Sequence, residues 1–135
     1  MLVVKASVRP SALEGLGLFA DQKIPKGTVI WKFNPLFDIM FDPAEVEKMP
    51  EDQQELIHRY AYLSKNTGKY VYSIDNSRFI NHSATRANKI EILHPGEIEN
   101  RSIAIRDIEV GEEILVDYRT IDAADAESSE VYLDT

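Results

Sequence analysis

The chain has 135 residues, a formal net charge of −8 and no cysteine. This length fits one domain, and the lack of cysteine excludes disulfides, thiolate zinc sites and a cysteine nucleophile; we predict no metal site. The acidic balance disfavours direct binding to nucleic acid and suits a basic protein partner. The N-terminal apolar run is too short for a signal peptide or a membrane span. We therefore expect a cytoplasmic or nuclear protein that is neither secreted nor bound to a membrane.

The N-terminal part of the chain predicts strands joined by turns. Residues 2–8 and 28–33 are rich in β-branched and aromatic residues, which favour strands. Between them stands GLGLFA, residues 15–20, which fits the loose dinucleotide-binding fingerprint. A proline and a glycine follow within seven residues and leave no room for the helix that this motif must open, so we reject a dinucleotide-binding unit. Backbone without side chains at Gly15 and Gly17 would still let a ligand approach closely.

One stretch is helical in pattern. Asp42 followed by Pro43 indicates a helix start with the aspartate as N-cap, and this first helix is expected to end near residue 48. A second helix is expected from about residue 50 to residue 63. The apolar residues of this second segment fall on one helical face: Leu56, Ile57, Tyr60 and Leu63.

The C-terminal half predicts short strands again. Alternating or β-rich runs cover residues 89–93, 101–108 and 112–118. Two turns share the pattern I-x-x-G-x-x-I, at residues 24–30 and 108–114, and predict one tight strand-turn-strand device used twice, with glycine at a positive φ.

The last residues, from 121 on, carry several acidic residues and no lysine or arginine. Such a segment is typical of a solvated, partly disordered tail. The alternative is a segment that folds over a basic substrate or a cofactor.

A polar triplet interrupts the middle of the chain. In the run YVYSIDNSRFINHSATRAN, residues 70–88, Asn81, His82 and Ser83 follow directly after an apolar run. An amide, an imidazole and a hydroxyl at such a place are costly unless each finds a partner. The triplet is either a turn that bonds its own backbone or part of a site.

Three motifs stand in one order along the chain: GLGLFA, RFINHS and GEEILVDY. This combination resembles the SET domain, a family known for protein lysine methylation with S-adenosylmethionine, and the resemblance spans about residues 2–118. It implies a mostly β, β-clip-like fold of several small antiparallel sheets, with a helical insert at about residues 42–63 and a C-terminal pseudoknot. The SET domain would then occupy residues 1–118, and residues 119–135 would form an acidic tail.

The resemblance also implies site roles for individual residues. The implied cofactor contacts are Gly15, Leu16, Gly17, Arg78, Phe79, Asn81, His82 and Tyr118. Tyr118 is also implied as the catalytic residue at the point of methyl transfer. The implied walls of the substrate lysine channel are Phe33, Tyr72, Val116 and Tyr118.

The chain departs from the family pattern at several points. Ala84 stands where a cysteine is usual, and no cysteine-rich segment follows Tyr118. The lid over the cofactor must therefore come from elsewhere, such as the tail through Tyr132 or a second subunit of a homodimer. Val116 stands where many members carry phenylalanine or tyrosine, which leaves room for di- or trimethylation.

Two functional hypotheses follow from the resemblance. The first is an active S-adenosylmethionine-dependent protein-lysine N-methyltransferase that acts on a basic protein or a histone tail. The second is a catalytically inactive SET-like module that binds a peptide or the cofactor. The missing cysteine and lid favour the second hypothesis, whereas the presence of Tyr118, Asn81 and His82 favours the first.

Overall fold

The computed structural model describes residues 1–135 as four small sheets and four short helices. The strands are β1 (Ala6–Pro10), β2 (Leu16–Ala20), β3 (Val29–Trp31), β4 (Asp38–Phe41), β5 (Tyr62–Leu63), β6 (Tyr70–Ser73), β7 (Asn81–His82), β8 (Lys89–Ile92), β9 (Arg101–Ala104) and β10 (Leu115–Val116). The helices are α1 (Pro43–Glu47), α2 (Glu51–Tyr60), α3 (Tyr118–Ile121) and α4 (Ala123–Glu127), and short 3-10 turns cover Asn76–Phe79 and Val131–Asp134. No helix has the length and apolar character needed to cross a membrane.

Three of the four sheets are antiparallel, and the fourth brings the predicted site together. β1 pairs with β2, β9 lies between β3 and β8, and β6 lies between β4 and β5. β7 and β10 form the parallel pair, with Asn81 opposite Leu115 and His82 opposite Val116. The expected mostly β fold of small sheets is confirmed, and the Asn-His-Ser triplet meets the chain just before Tyr118.

The two glycine turns meet each other across the core. Ile24 and Ile108 are fully buried, and their backbones exchange two hydrogen bonds of 2.8 and 2.9 Å. Gly27 and Gly111 have φ angles of 86° and 84°, as predicted for both turns. The main core is built around this pair and consists of Leu18, Ala20, Ile24, Ile30, Ala104, Ile108 and Ile114.

The second helix is shorter than its apolar spacing predicts. It ends at Tyr60, and Ala61 is already extended, with φ −92° and ψ 158°. Leu63 lies instead in β5, where its backbone N–H donates to the Asp122 carboxylate at 2.7 Å. A contact with a distant residue therefore overrides the local helical spacing.

One helix cap and one strand boundary also differ from the prediction. Helix α1 begins at Pro43 as expected, but Asp42 makes no side-chain cap hydrogen bond and lies 3.7 Å from the Lys69 ammonium. The strand expected at residues 2–8 begins only at Ala6.

The tail is folded into α4 and a 3-10 turn and is not disordered, although most of its residues are exposed. Leu133 is completely buried. The Arg119 guanidinium donates to the Asp134 carboxylate at 2.8 Å and to the Leu133 carbonyl at 3.2 Å. Leu133 and Arg119 thus hold the segment after α4 against the body of the domain, together with hydrogen bonds from His82, Ser83 and Thr85.

Candidate active site

Asn81 holds the glycine loop in place. Its side-chain nitrogen lies within hydrogen-bond distance of the Glu14 carbonyl (3.2 Å), the Leu16 carbonyl (3.0 Å) and the Glu113 carboxylate (2.9 Å). The GLGLFA, RFINHS and GEEILVDY motifs, which lie far apart in the sequence, therefore meet at one amide group.

Glycine is needed at the two loop positions for different physical reasons. A Cβ on Gly17 would lie 2.0 Å from Oε1 of Glu113, so this position must remain bare for the Glu113 side chain to reach Asn81. Gly15 has a φ of +43° and open space where its Cβ would be. The loop is therefore fixed from behind by Glu113 and remains open in front at Gly15.

Asn88 holds the other side of the same strand pair. It is fully buried, and its side-chain amide donates to the Glu113 carbonyl at 2.8 Å and accepts from the Leu115 backbone N–H at 2.9 Å. Its own backbone N–H donates to the Leu115 carbonyl at 3.0 Å. These three bonds fix the start of β10, which leads into Tyr118.

His82 joins the start of α3 to the tail. The backbone N–H of Tyr118 donates to Nδ1 of His82 at 2.9 Å, so Nε2 carries the proton and donates to the Leu133 carbonyl at 3.1 Å. The His82 ring also contacts the rings of Tyr118 and Tyr132, at centroid distances of 5.1 and 6.1 Å. Both ring nitrogens and the ring itself are thus engaged by the protein, which leaves the backbone of His82 for a ligand.

The Tyr118 hydroxyl is positioned and kept neutral by its surroundings. It donates to the Ile80 carbonyl at 2.9 Å. Burial raises the pKa of this hydroxyl, and the nearby Tyr132, Asp125 and Glu14 raise it further. Tyr118 can therefore act as a neutral hydrogen-bonding group but not as a tyrosinate base at ordinary pH.

A cavity of about 430 Å³ opens beside Tyr118. Its size is that of a pocket for a small-molecule or side-chain ligand. Its aromatic wall residues are Trp31, Tyr60, Tyr62, Tyr70, Tyr118 and Tyr132. Aromatic faces attract cations such as a sulfonium or an ammonium, so this wall suits a positively charged ligand.

Three of the residues with implied site roles line this cavity. Tyr118 and Val116 stand on its wall together with Arg78, whose guanidinium lies 4.6 Å from the centroid of the Phe79 ring. Phe79 itself packs edge-on against Tyr60 with the centroids 5.7 Å apart.

Other implied site residues lie outside the cavity. Phe33 packs against Trp31 at a centroid distance of 6.5 Å and supports the wall from behind. Tyr72 stands in β6 beside three residues that line the cavity, Tyr70, Val71 and Ser73, but does not line it itself. The glycine loop, Asn81 and His82 do not line the cavity; Asn81 contacts the loop and His82 contacts Tyr118.

Several site residues escaped the sequence analysis. Glu113 and Asn88 carry signals that were available, since Glu113 belongs to the GEE motif and Asn88 closes the central run. Trp31, Tyr62 and Tyr70 carry no such signal, because strands from two different sheets bring them together.

This fold and this arrangement define a SET domain. The SET domain family matches residues 15–119, and the chain belongs to this family. The match covers all three motifs that meet at Asn81 and Tyr118.

Individual relatives agree with this family. The chain is 29% identical to the histone-lysine N-methyltransferase set5 of Schizosaccharomyces pombe, covering 94% of this chain and 46% of that protein. The chain thus spans about half the length of this curated relative.

Among solved structures, CpSET8 from Cryptosporidium is 27% identical with a TM-score of 0.59, covering 84% of this chain and 56% of that one. A Polycomb Repressive Complex 2 of Chaetomium thermophilum is 25% identical with a TM-score of 0.65, covering 87% of this chain and 15% of that one. A putative histone methyltransferase of Plasmodium falciparum is 22% identical with a TM-score of 0.58, covering 83% of this chain and 90% of that one, and shows the shared fold.

Proposed function

We propose that this protein is an S-adenosylmethionine-dependent protein-lysine N-methyltransferase. The observation that carries the proposal is the position of Tyr118: it is tied to the Asn-His segment through His82 and Ile80 and faces an aromatic cavity. The family and the name of the S. pombe relative support the same reaction.

The residues present fit the cofactor on two counts. The loop at Gly15 is open where a side chain would otherwise stand, so its backbone can meet the polar amino-acid end of a ligand. The aromatic rings of Tyr118 and Tyr132 can face a sulfonium. We propose that Gly15, Leu16, Gly17 and Asn81 hold the cofactor, with the backbone of His82 and with Arg78 and Phe79 beside it.

When bound, S-adenosylmethionine supplies an electrophilic methyl group on a positively charged sulfur. The chain's part is to align a neutral lysine amine with that methyl group and to exclude water. Burial of an entering lysine between the rings of Tyr118 and Tyr132 disfavours its ammonium form, whose proton leaves to solvent. The oxygen of the Tyr118 hydroxyl is held by its bond to Ile80 and can accept weak hydrogen bonds from the methyl group or the amine. Positioning supplies most of the rate enhancement in such a site.

The substrate we propose is a basic protein or a histone tail. A net charge of −8 attracts a lysine- and arginine-rich segment over long distances, and the cavity is lined by Tyr118 but not by the glycine loop. The amine would then enter through the cavity and meet the methyl group at Tyr118.

The first test is calorimetric titration of S-adenosylmethionine into the wild type and Asn81→Ala. We expect binding by the wild type and a large loss in the variant, because Asn81 holds the loop through the Glu14 and Leu16 carbonyls. Transfer of a radiolabelled methyl group to core histones then tests the reaction. Cofactor binding without transfer to any basic protein would favour the inactive binding module.

A further inference from the structure

Strand β8 buries its charged face and exposes its apolar face, the reverse of the usual pattern in a half-buried strand. Lys89 is only 4% exposed and the Glu91 side chain 9%, whereas Ile90 and Ile92 are 37% and 43% exposed. The charged face of this strand lines the same cavity as Tyr118. Burying charges while exposing isoleucines costs stability, which marks this wall as a place shaped by function.

Of the two buried glutamates on this wall, only one has a cationic partner. The Lys89 ammonium donates to the Glu91 carboxylate and to the Ser102 hydroxyl, and that hydroxyl donates to Glu91 as well. Glu91 therefore forms an ion pair with Lys89. Glu99, on the loop before β9, is the second buried carboxylate of this wall and has no such partner.

Glu99 is 3% exposed and receives hydrogen bonds only from neutral groups. The Tyr62 hydroxyl donates to one of its oxygens at 3.2 Å, and the Thr67 hydroxyl donates to the other at 3.4 Å. No lysine, arginine or histidine lies within salt-bridge distance of it. Burial raises the pKa of the Glu99 carboxyl, and the charge of Glu91 raises it further, while the hydroxyl contacts lower it. A cation brought into the cavity would relieve this burial cost.

Other cations on the cavity wall are directed elsewhere. The Lys65 ammonium donates to the Arg119 carbonyl at 2.7 Å. The Arg78 guanidinium donates to the carbonyls of Ile74 and Asp75. The Arg59 guanidinium, also on this wall, lies over the Tyr60 ring at 5.5 Å from its centroid. None of these side chains pairs with Glu99, so a cationic partner would come from outside the chain.

Glu99 and Tyr118 have different hydrogen-bond partners within the cavity wall. The Tyr118 hydroxyl donates to the Ile80 carbonyl, whereas Glu99 accepts from the Tyr62 and Thr67 hydroxyls. A volume of about 430 Å³ exceeds the needs of one lysine side chain and matches a ligand with several groups.

We propose that Glu99 binds a second basic side chain of the protein substrate, distinct from the lysine that receives the methyl group. This inference rests on the proposed methyltransferase function. Trp31 and Tyr62, packed edge to face at 6.3 Å, supply aromatic faces beside the carboxylate and complete a pocket for an ammonium or a guanidinium. The contact selects substrates that carry a basic residue at a fixed spacing from the target lysine.

The test uses alanine-rich peptides with one central lysine and a single arginine moved through the flanking positions. Each arginine peptide is compared with its citrulline twin, which keeps the shape and removes the charge. We expect one spacing at which the wild type prefers arginine over citrulline by about tenfold or more in kcat/KM, because a buried charge pair is lost in the twin. In Glu99→Gln this ratio should fall to about one. In Glu55→Gln, which removes an exposed carboxylate of α2 away from the cavity, the ratio should persist.

Two outcomes overturn the proposal: no spacing at which arginine is preferred, or a preference that survives in Glu99→Gln. The first needs no variant, so a folding defect of Glu99→Gln cannot hide the answer. A binding readout separates this proposal from the methyl transfer itself. Acetyl-arginine-amide should shift the amide resonances of Glu99, Asn100 and Ser102 in the wild type, and acetyl-citrulline-amide should not. Equal effects of the two probes would overturn the site even if methyl transfer is established, and an arginine-specific shift would support it even if no peptide is methylated.

Discussion

His82 and Tyr118 are joined by a 2.9 Å hydrogen bond from the Tyr118 backbone N–H to Nδ1 of the imidazole. Their rings also contact, with centroids 5.1 Å apart. The backbone N–H of a first helical residue has no partner within its own helix, so the imidazole satisfies a donor that would otherwise be buried without one. The position of the Tyr118 hydroxyl therefore depends on the Asn-His segment as well as on β10.

Replacing Tyr118 by phenylalanine should slow methyl transfer while leaving cofactor binding largely intact. The variant keeps the ring against His82 and loses only the hydroxyl that is bonded to Ile80. We expect a cost on the order of 1–4 kcal/mol in the barrier, typical of one well-placed polar group, measured as kcat with calorimetric affinity as the second readout. Tyr72→Phe is the matched control, since it removes a hydroxyl outside the cavity. An unchanged kcat in Tyr118→Phe would remove this residue from the mechanism.

The pH dependence should show no loss of activity near pH 10 caused by Tyr118. Burial raises the pKa of its hydroxyl above the ordinary value of 10.0, so the neutral form that hydrogen-bonds to Ile80 persists there. Its contribution to folding stability is fully present below about pH 10 and is lost as the pH rises towards the raised value, because the unfolded chain releases this proton first. Ultraviolet titration of tyrosinate should place the step that Tyr118→Phe removes above pH 10. If the titration step that Tyr118→Phe removes lies at or below pH 10, the burial argument is contradicted.

Val116→Phe should restrict the number of methyl groups transferred. Val116 is buried and lines the cavity two residues before Tyr118. A phenylalanine there would fill space that a methylated amine needs, so mass spectrometry of the product should show monomethyl-lysine at long times, where the wild type proceeds to di- or trimethyl-lysine. Val110→Phe, at an exposed position, controls for the added bulk. Wild-type product that stops at monomethyl-lysine would refute the premise.

Gly17→Ala should destabilise the protein through a clash with Glu113. The new methyl group would displace the Glu113 carboxylate, which lies 2.9 Å from the Asn81 amide. If this clash is the cause, adding Glu113→Ala should make the double variant less destabilised than the sum of the two single variants. Urea denaturation of the four proteins measures this coupling. Strict additivity would show that Gly17 is needed for another reason.

The sequence predicted those parts of the fold that depend on local chemistry. Gly27 and Gly111 could be assigned to tight turns because few other residues adopt a positive φ. The start of α1 at Pro43 follows from the fixed φ of proline. The end of α2 could not be predicted, because the contact of Leu63 with Asp122 joins residues far apart in the chain.

The candidate site was predictable only in part, for a similar reason. The three motifs predicted Asn81 and Tyr118 as site residues. They did not predict that Glu113 would fill the space over Gly17. Alternation along β8 predicts a strand but does not say which face is buried, and here the face with Lys89 and Glu91 turns inwards. Which face is buried depends on contacts with residues that are distant in the sequence and line the same cavity.

The folded tail is the part of the structure that differs most from what its acidic composition predicts. Leu133→Ala tests how the tail is held against the domain. Leu133 is fully buried, and its carbonyl accepts from both His82 and Arg119. Removing its side chain should cost about 2–5 kcal/mol of local or global stability, typical of a leucine-to-alanine change in a core. Hydrogen exchange should then rise across residues 119–135 and at Tyr118, whose N–H bonds to His82.

Val131→Ala is the matched control for this tail variant, because Val131 is 78% exposed and lies two residues away. It should leave hydrogen exchange in the tail close to that of the wild type. If both variants exchange alike, burial of Leu133 does not hold the tail. If exchange rises in the tail but not at Tyr118, the tail opens without disturbing the His82 bond, and Tyr118 is positioned by β10 and the Asn-His segment alone.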